Sequence, residues 1–167
     1  MNVWTPAFVG LGSNLADPAR QVEKALTELA QLPGCRMVSH SGLYVSAPVG
    51  PPGQPDYINA VAGLLTRLEP DRLLDALQAV EAAHGRTRGT TRWGPRTLDL
   101  DIIAMGHTIL ATPRLTLPHP GAHERNFVLA PLAEIAPDYW LPGYGRVAKL
   151  ARALGDAGLG RLAKRTT

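Results

Sequence analysis

Within Thr97-Leu98-Asp99-Leu100-Asp101-Ile102-Ile103 two aspartates are set into an otherwise apolar run. A strand sends residues i and i+2 to the same face, so Asp99 and Asp101 point together while Leu98, Leu100 and Ile102 point the other way. The run therefore reads as a strand with one apolar and one acidic face. Two adjacent carboxylates on one face repel each other unless a cation lies between them. Magnesium suits that place, because it takes one or two carboxylates and fills its remaining positions with water and phosphate oxygens. A solvated strand face carrying two acids fits the same spacing, and spacing alone does not separate the two readings. The basic turn just upstream, Arg92-Trp93-Gly94-Pro95-Arg96, favours a phosphate site.

The segments on either side supply a sheet for this strand. Ala7-Phe8-Val9-Gly10-Leu11 reads as a short buried strand ended by the turn cluster Gly12-Ser13-Asn14. Asp17-Pro18 then predicts a helix N-cap with proline at the first helical position. Val22, Ala25, Leu26 and Leu29 form its apolar stripe, and Pro33-Gly34 stops it. A second strand is expected from Met37 to Ser46, irregular around Gly42. Residues 47–55 hold too many prolines and glycines for any element and make a stiff loop. Tyr57 to Leu65 reads as a strand with Tyr57, Asn59 and Val61 on one face and Ile58, Ala60 and Ala62 on the other.

Glu69-Pro70-Asp71 opens a second helix, whose buried stripe is Leu73, Leu74, Leu77 and Val80 and which Gly85 ends. Gln78 and Glu81 share another edge of it. Arg86 to Arg92 is basic, aperiodic and read as a loop. After the acidic strand the sequence predicts a turn at Gly106-His107, a short return strand at Ile109-Leu110 and an extended Arg114–Pro120. A short helix within Glu124–Leu132 and a last helix near Val147–Leu154 follow. Strand, helix, strand, strand, helix, strand is the βαββαβ, ferredoxin-like order of an α+β fold, here with extra C-terminal helices. In it two helices cover one sheet face and the other is left to carry a site. With 167 residues and no linker or repeat, one domain spanning 1–167 is expected.

Charge and cysteine usage narrow the function. A net charge of +3, with no dense Lys/Arg run, argues against a nucleic-acid tail or a polybasic membrane patch and for a small, local anion. One cysteine, Cys35, excludes an intrachain disulfide and a cysteine-rich metal site. No apolar stretch approaches the roughly 20 residues needed to cross a bilayer, and Met1 to Pro6 lacks a signal-peptide pattern. The cytoplasm is the expected compartment.

Three constellations could carry chemistry. Asp99 and Asp101 preceded by Arg86, Arg88, Arg92 and Arg96 have the parts of phosphoryl transfer: acids for a metal, and guanidinium forks for phosphate oxygens. Tyr57, Asn59 and Phe127 could sandwich a flat heterocycle and read its edge, although aromatic residues in strands more often fill cores. His119 lies among Arg114, Thr116 and Arg125. It has no second histidine on a shared helical face and no cysteine, so zinc is a poor reading. Gly10-Leu11-Gly12-Ser13-Asn14 lacks the third glycine of a dinucleotide fingerprint and the Gly-Lys-Ser/Thr of a P-loop.

Taken together, these blocks resemble the 6-hydroxymethyl-7,8-dihydropterin pyrophosphokinase family over nearly the whole chain. The resemblance rests on Gly10–Leu15, Gln54–Ala60, Arg92–Ile102, Leu117-Pro118-His119-Pro120, Glu124-Arg125-Asn126-Phe127 and Ala130–Pro137, in order and at the family's spacing. It implies a ferredoxin-like fold and transfer of the β,γ-pyrophosphoryl group of ATP to the pterin hydroxymethyl oxygen, with AMP leaving. By the same resemblance Asp99 and Asp101 hold two magnesium ions, and Arg86 and Arg96 steady the phosphates. Ser46, Val49, Tyr57, Asn59, Trp93 and Phe127 contact the pterin. Gln78, Glu81, Arg88, Ile102, Arg114, Thr116, His119 and Arg125 surround the nucleotide. Val49 and Pro120 stand where some members carry Leu and Tyr, which bears on side-chain contacts there. The chain is too short for the fused aldolase or synthase domains of some relatives, so a single activity is expected. A monomer is expected as well, with no residue pattern behind it.

Two other classes share parts of this pattern. An RNA-binding module on the same fold would show a Lys/Arg-Gly-Phe/Tyr-Gly/Ala-Phe-Val pattern, which is absent, and would turn two aspartates toward a polyanion. A polymerase-like palm could use Asp-x-Asp but needs far more chain to hold a template.

Overall fold

A computed structural model describes residues 3–48, 52–85 and 97–162. The first two elements follow the expected order, β1 (Thr5–Ser13) then α1 (Pro18–Leu29). The next segment differs. The predicted strand from Met37 to Ser46 is two strands, β2 (Cys35–His40) and β3 (Tyr44–Ser46), broken at 41–43. The Ser41 amide still donates to the Val61 carbonyl at 2.8 Å. The Val61 amide, however, donates at 2.9 Å to the Ser41 hydroxyl, which itself donates to the Gly42 carbonyl at 2.8 Å, so a side chain takes one of the two ladder bonds at that point. Then come β4 (Tyr57–Thr66), α2 (Pro70–Ala83) and β5 (Asp99–Met105).

Pairing turns this order into a ferredoxin-like sheet. β1 lies antiparallel between β4 and β5. β2 pairs with the C-terminal half of β4 and β3 with its N-terminal half, so the two short strands share one edge. Strand periodicity sorts side chains as the sequence predicts. Ala7, Val9 and Leu11 of β1, Ile58, Ala60 and Ala62 of β4, and Leu100 and Ile102 of β5 are buried in one cluster. The α1 stripe of Val22, Ala25, Leu26 and Leu29 and the α2 residues Leu73, Leu77 and Val80 close that cluster.

Asp17 stands at the N-cap of α1, but its side chain makes no capping bond. Ala16 and Asp17 both have positive φ, and Gln21 reaches back instead, its Nε2 donating to the Ala16 carbonyl at 3.0 Å. The C-terminal third is the least anticipated part. The return strand is β6 (Leu110–Ala111), which pairs with β7 (Thr116–Leu117) and not with β5. A 3-10 turn, Ala122–Glu124, precedes α3 (Asn126–Ile135), so the helix starts later and ends later than expected. β8 (Trp140–Leu141) and β9 (Gly145–Arg146) form a small hairpin that the sequence did not reveal. α4 (Val147–Leu154) falls where predicted, and β10 (Leu159–Arg161) adds to β3.

The second sheet face is therefore not bare. Phe8, Val61 and Ile103 meet Leu132 of α3 and Val147 of α4 in a smaller apolar cluster, and Phe8 packs on Tyr139 at 4.8 Å between ring centroids. α3 and α4 cover only part of the face, and the remainder is a cavity. Among the described residues no helix is long and apolar enough to cross a membrane.

Candidate active site

The cavity measures about 380 Å³, the size of a small-molecule site. Its floor is the sheet itself. Gly10 and Gly12 occupy the cavity-facing positions of β1, and a Cβ on Gly12 would stand 3.4 Å from Asn59 Oδ1 and 3.7 Å from the Tyr57 ring. Two missing side chains thus leave room for a ligand on the strand. The sequence holds this signal as Gly-x-Gly at strand period, which gains its meaning only from the strand paired beside it.

One wall comes from β3 and β4. Asn59 is buried, and its Nδ2 donates to Ser46 Oγ at 2.8 Å, which turns the carboxamide edgewise to the cavity that both residues line. Tyr57 and Ala47 complete that side. The facing wall is the start of α3, with Phe127 and Arg125; the guanidinium lies 6.0 Å from the Phe127 ring centroid. Glu124, Asn126 and Leu154 also border the cavity, and sequence reasoning did not single them out.

At the remaining side β5 presents Asp99, half-buried, and Asp101, exposed, with Ile103 next on the same face. His119 follows the cis Leu117–Pro118 peptide, and its amide is held by the Ile103 carbonyl at 2.8 Å. The Gly121 amide donates to its Nδ1 at 3.1 Å, so the neutral ring carries its proton on Nε2. Burial pushes the His119 pKa below the usual histidine value and Arg125 adds to that, while Asp99 opposes it. His119 is thus a neutral hydrogen-bond donor beside two acids and an arginine.

The turn after β1 holds the rim. The buried Ser13 hydroxyl donates to the Thr97 carbonyl, two residues before the first aspartate. Asn14, also buried, donates through Nδ2 to Gln54 Oε1 and to the Pro55 carbonyl, each at 3.2 Å. Gly12-Ser13-Asn14 is therefore a clip between the two segments that lead into the wall and the acids.

The structure thus gathers Ser46, Tyr57, Asn59, Asp99, Asp101, His119, Arg125 and Phe127 around one cavity. Five other expected contacts stand outside it. Glu81 is 5% exposed, and its Oε2 accepts the Leu100 amide at 2.8 Å, fixing the strand between the two aspartates. Gln78 lies on the same helix, half-buried. Ile102 points into the core beneath the sheet. Arg114 is exposed and paired with Asp75 of α2, and Thr116 is exposed on β7. Val49, Arg86, Arg88, Trp93 and Arg96 lie outside the described residues.

Comparison with known proteins converges on one family. Residues 8–137 match the model of 7,8-dihydro-6-hydroxymethylpterin-pyrophosphokinase. The chain is 50% identical over 155 residues to the 2-amino-4-hydroxy-6-hydroxymethyldihydropteridine pyrophosphokinase of Pseudomonas aeruginosa, covering 93% of this chain and 95% of that one. It is 47% identical over 150 residues to the Haemophilus influenzae protein of the same name, covering 90% and 93%. Among solved structures it resembles the wild-type HPPK-DHPS of Plasmodium falciparum crystallised with pteroate, with a TM-score of 0.72 at 12% identity. That likeness covers 92% of this chain but only 43% of the Plasmodium chain, and it concerns the fold alone.

Proposed function

This chain belongs to the 7,8-dihydro-6-hydroxymethylpterin-pyrophosphokinase family, and from that premise we propose that its cavity is where the pterin meets the phosphates of ATP. The enzyme transfers pyrophosphate from ATP to 6-hydroxymethyl-7,8-dihydropterin, giving AMP and the pterin diphosphate. The observation that carries the site reading is the opening of Asp99 and Asp101 onto the same cavity as Tyr57, Asn59 and Phe127.

In this reading Tyr57 and Phe127 take the two faces of the pterin. Asn59 reads its edge beside Ser46, and Val49 and Trp93 are further pterin contacts. The hydroxymethyl group then lies toward β5. Its oxygen attacks the β-phosphorus, the bond from that phosphorus to the α,β-bridging oxygen breaks, and AMP departs. Arg86, Arg88, Arg96 and Arg125 oppose phosphate charge with planar forks that never deprotonate. Gln78, Glu81, Ile102, Arg114, Thr116 and His119 surround the nucleotide, Ile102 through its backbone because its side chain is in the core. The Nε2 proton of His119 suits a phosphate oxygen.

The acids fit magnesium. They are two carboxylates on one strand face at the cavity, and among the described residues no cluster of three His, Cys, Asp or Glu side chains forms a closed cage. That donor set matches an ion that keeps water and phosphate as its other ligands. Asp99 and Asp101 would hold two such ions, which when bound neutralise phosphate charge and lower the pKa of a coordinated hydroxyl. A single domain over 1–167, acting as a cytoplasmic monomer, completes the proposal.

The test is to incubate the protein with ATP and magnesium, with and without 6-hydroxymethyl-7,8-dihydropterin, and to separate the nucleotides. AMP should form only when both pterin and magnesium are present. ADP as the product, or AMP without pterin, would refute the assignment.

A further inference from the structure

The block Leu132-Ala133-Glu134-Ile135-Ala136 lies at the far end of α3 and does not line the cavity, yet Glu134 holds three partners there. Its Oε2 accepts the Gly42 amide at 2.9 Å, in the break between β2 and β3. Its Oε1 accepts the Tyr44 hydroxyl of β3 at 2.6 Å and lies 3.0 Å from the Arg161 guanidinium of β10. Gly42 is part of the arrangement, since a Cβ there would come within 3.0 Å of that guanidinium.

Tyr44 is one step from the cavity wall. In the β3–β4 ladder Tyr44 stands opposite Asn59 and Ser46 opposite Tyr57. Ser46 in turn takes the Asn59 amide. The other end of α3 carries Phe127 and is tied down by Asn126, whose Nδ2 donates to the Ala157 carbonyl just before β10. Seven residues of helix, about 10 Å, separate Phe127 from Glu134. α3 is therefore a short rod with the stacking ring at one end and a carboxylate clamp on the opposite wall at the other.

We propose that Glu134 is a positioning residue that sets the gap between the Phe127 wall and the Ser46, Tyr57 and Asn59 wall, and so controls pterin affinity. The inference rests on the pterin reading of this cavity. Glu134 touches no substrate. A carboxylate suits the task because it can accept several donors at once, and the Arg161 contact is a charge-assisted one. Three anchors from two chain segments, 42–44 and β10, hold the helix in rotation as well as in distance. Gln78 and Glu81 on α2, Ile102 on β5 and Thr116 on β7 stand outside the cavity, and of the described nucleotide residues only Arg125 adjoins α3, so the clamp should act chiefly on the pterin.

Steady-state kinetics of Glu134→Ala, with each substrate varied in turn, test this. KM for the pterin should rise about tenfold, the scale of one lost charge-assisted hydrogen bond, while KM for ATP and kcat stay within about twofold. Glu134→Gln, which keeps one acceptor oxygen but loses the charge, should recover part of the loss. Tyr44→Phe removes only the hydroxyl and should raise the pterin KM selectively by about threefold. It decides the matter if Glu134→Ala fails to fold. Equal rises in both KM values, a fall in kcat alone or unchanged kinetics would overturn the proposal. Wild-type protein assayed beside the variants separates the two readings. If it makes no AMP from ATP and pterin, the site reading itself fails, whereas an active wild type with indifferent variants sinks only the clamp.

Discussion

At the scale of single residues, the cavity divides its labour by chemistry. Asn59 is buried and carries a carboxamide, which can match both donor and acceptor groups of a heterocycle edge. Asp99 and Asp101 offer charge and no shape. Substituting them should therefore separate binding from rate. Asn59→Ala should raise the pterin KM by about tenfold or more, since removing a buried partner leaves the other group unsatisfied, with kcat changed far less. On the proposed magnesium reading, Asp99→Ala and Asp101→Ala should each lower kcat by about a hundredfold or more, because losing a metal ligand would cost at least what losing the groups behind one does. Titration of each variant with pterin alone and then turnover with ATP checks both arms. Similar, mild losses in all three would place the chemistry elsewhere. The carboxylates were legible from strand periodicity, which needs no knowledge of the rest of the chain. The glycine floor was not, because a missing side chain gains meaning only when a neighbouring strand brings Asn59 and Tyr57 against it.

Elements position these residues through contacts at their ends. β5 is held to β1 along one side, and on the other the buried Glu81 of α2 takes the Leu100 amide, between the two aspartates. Glu81→Ala would leave that amide without this acceptor and should cost about 1–3 kcal/mol of stability. It should also lower kcat, because a strand free to shift misplaces both acids. Glu81→Gln retains an acceptor oxygen and should recover most of both losses; thermal unfolding and turnover of the pair give the comparison. α1 and α2 are joined in a similar way by His84, whose ring nitrogens meet Gln21 Oε1 at 2.6 Å and Glu28 Oε1 at 2.5 Å. The His84 side chain is 1% exposed, and its partners are more than fifty residues away in the chain. Helix stripes could be counted from the sequence, but these end-to-end bonds depend on how two helices lie on one sheet.

The molecule as a whole is one sheet with a larger apolar cluster under α1 and α2 and a smaller one under α3 and α4. Two tyrosines couple the second side to alkaline stability. Burial pushes Tyr44 up to about 12, with the Glu134 hydrogen bond and charge adding to it. Burial alone pushes Tyr139 up to about 12, and its hydroxyl donates to the Gly106 carbonyl at 2.5 Å. Both pKa values are higher folded than unfolded, so their contribution to stability is complete below pH 10 and lost as pH rises toward 12. Denaturant midpoints measured across that window should fall. Tyrosinate absorbance, assigned with Tyr44→Phe and Tyr139→Phe, should show these two tyrosines titrating late in the folded protein and normally after unfolding. Normal titration of both in the folded protein would contradict the packing described for this side.

Amino-acid order by itself determined the strands and helices of the βαββαβ core, the faces of β4 and β5, and the acidic pair, because periods of 2 and 3.6 are local properties of a chain. The family blocks were equally plain in order and spacing. Tertiary structure decided the rest. It split one expected strand in two, paired β6 with β7, laid α3 and α4 over the second face and left the cavity beside them. It also gave the Glu81 bond to Leu100 and the Glu134 clamp their partners. Those two sets of bonds join groups from 19 to 92 residues apart, and no local period encodes which distant donor a carboxylate will meet once the sheet has closed.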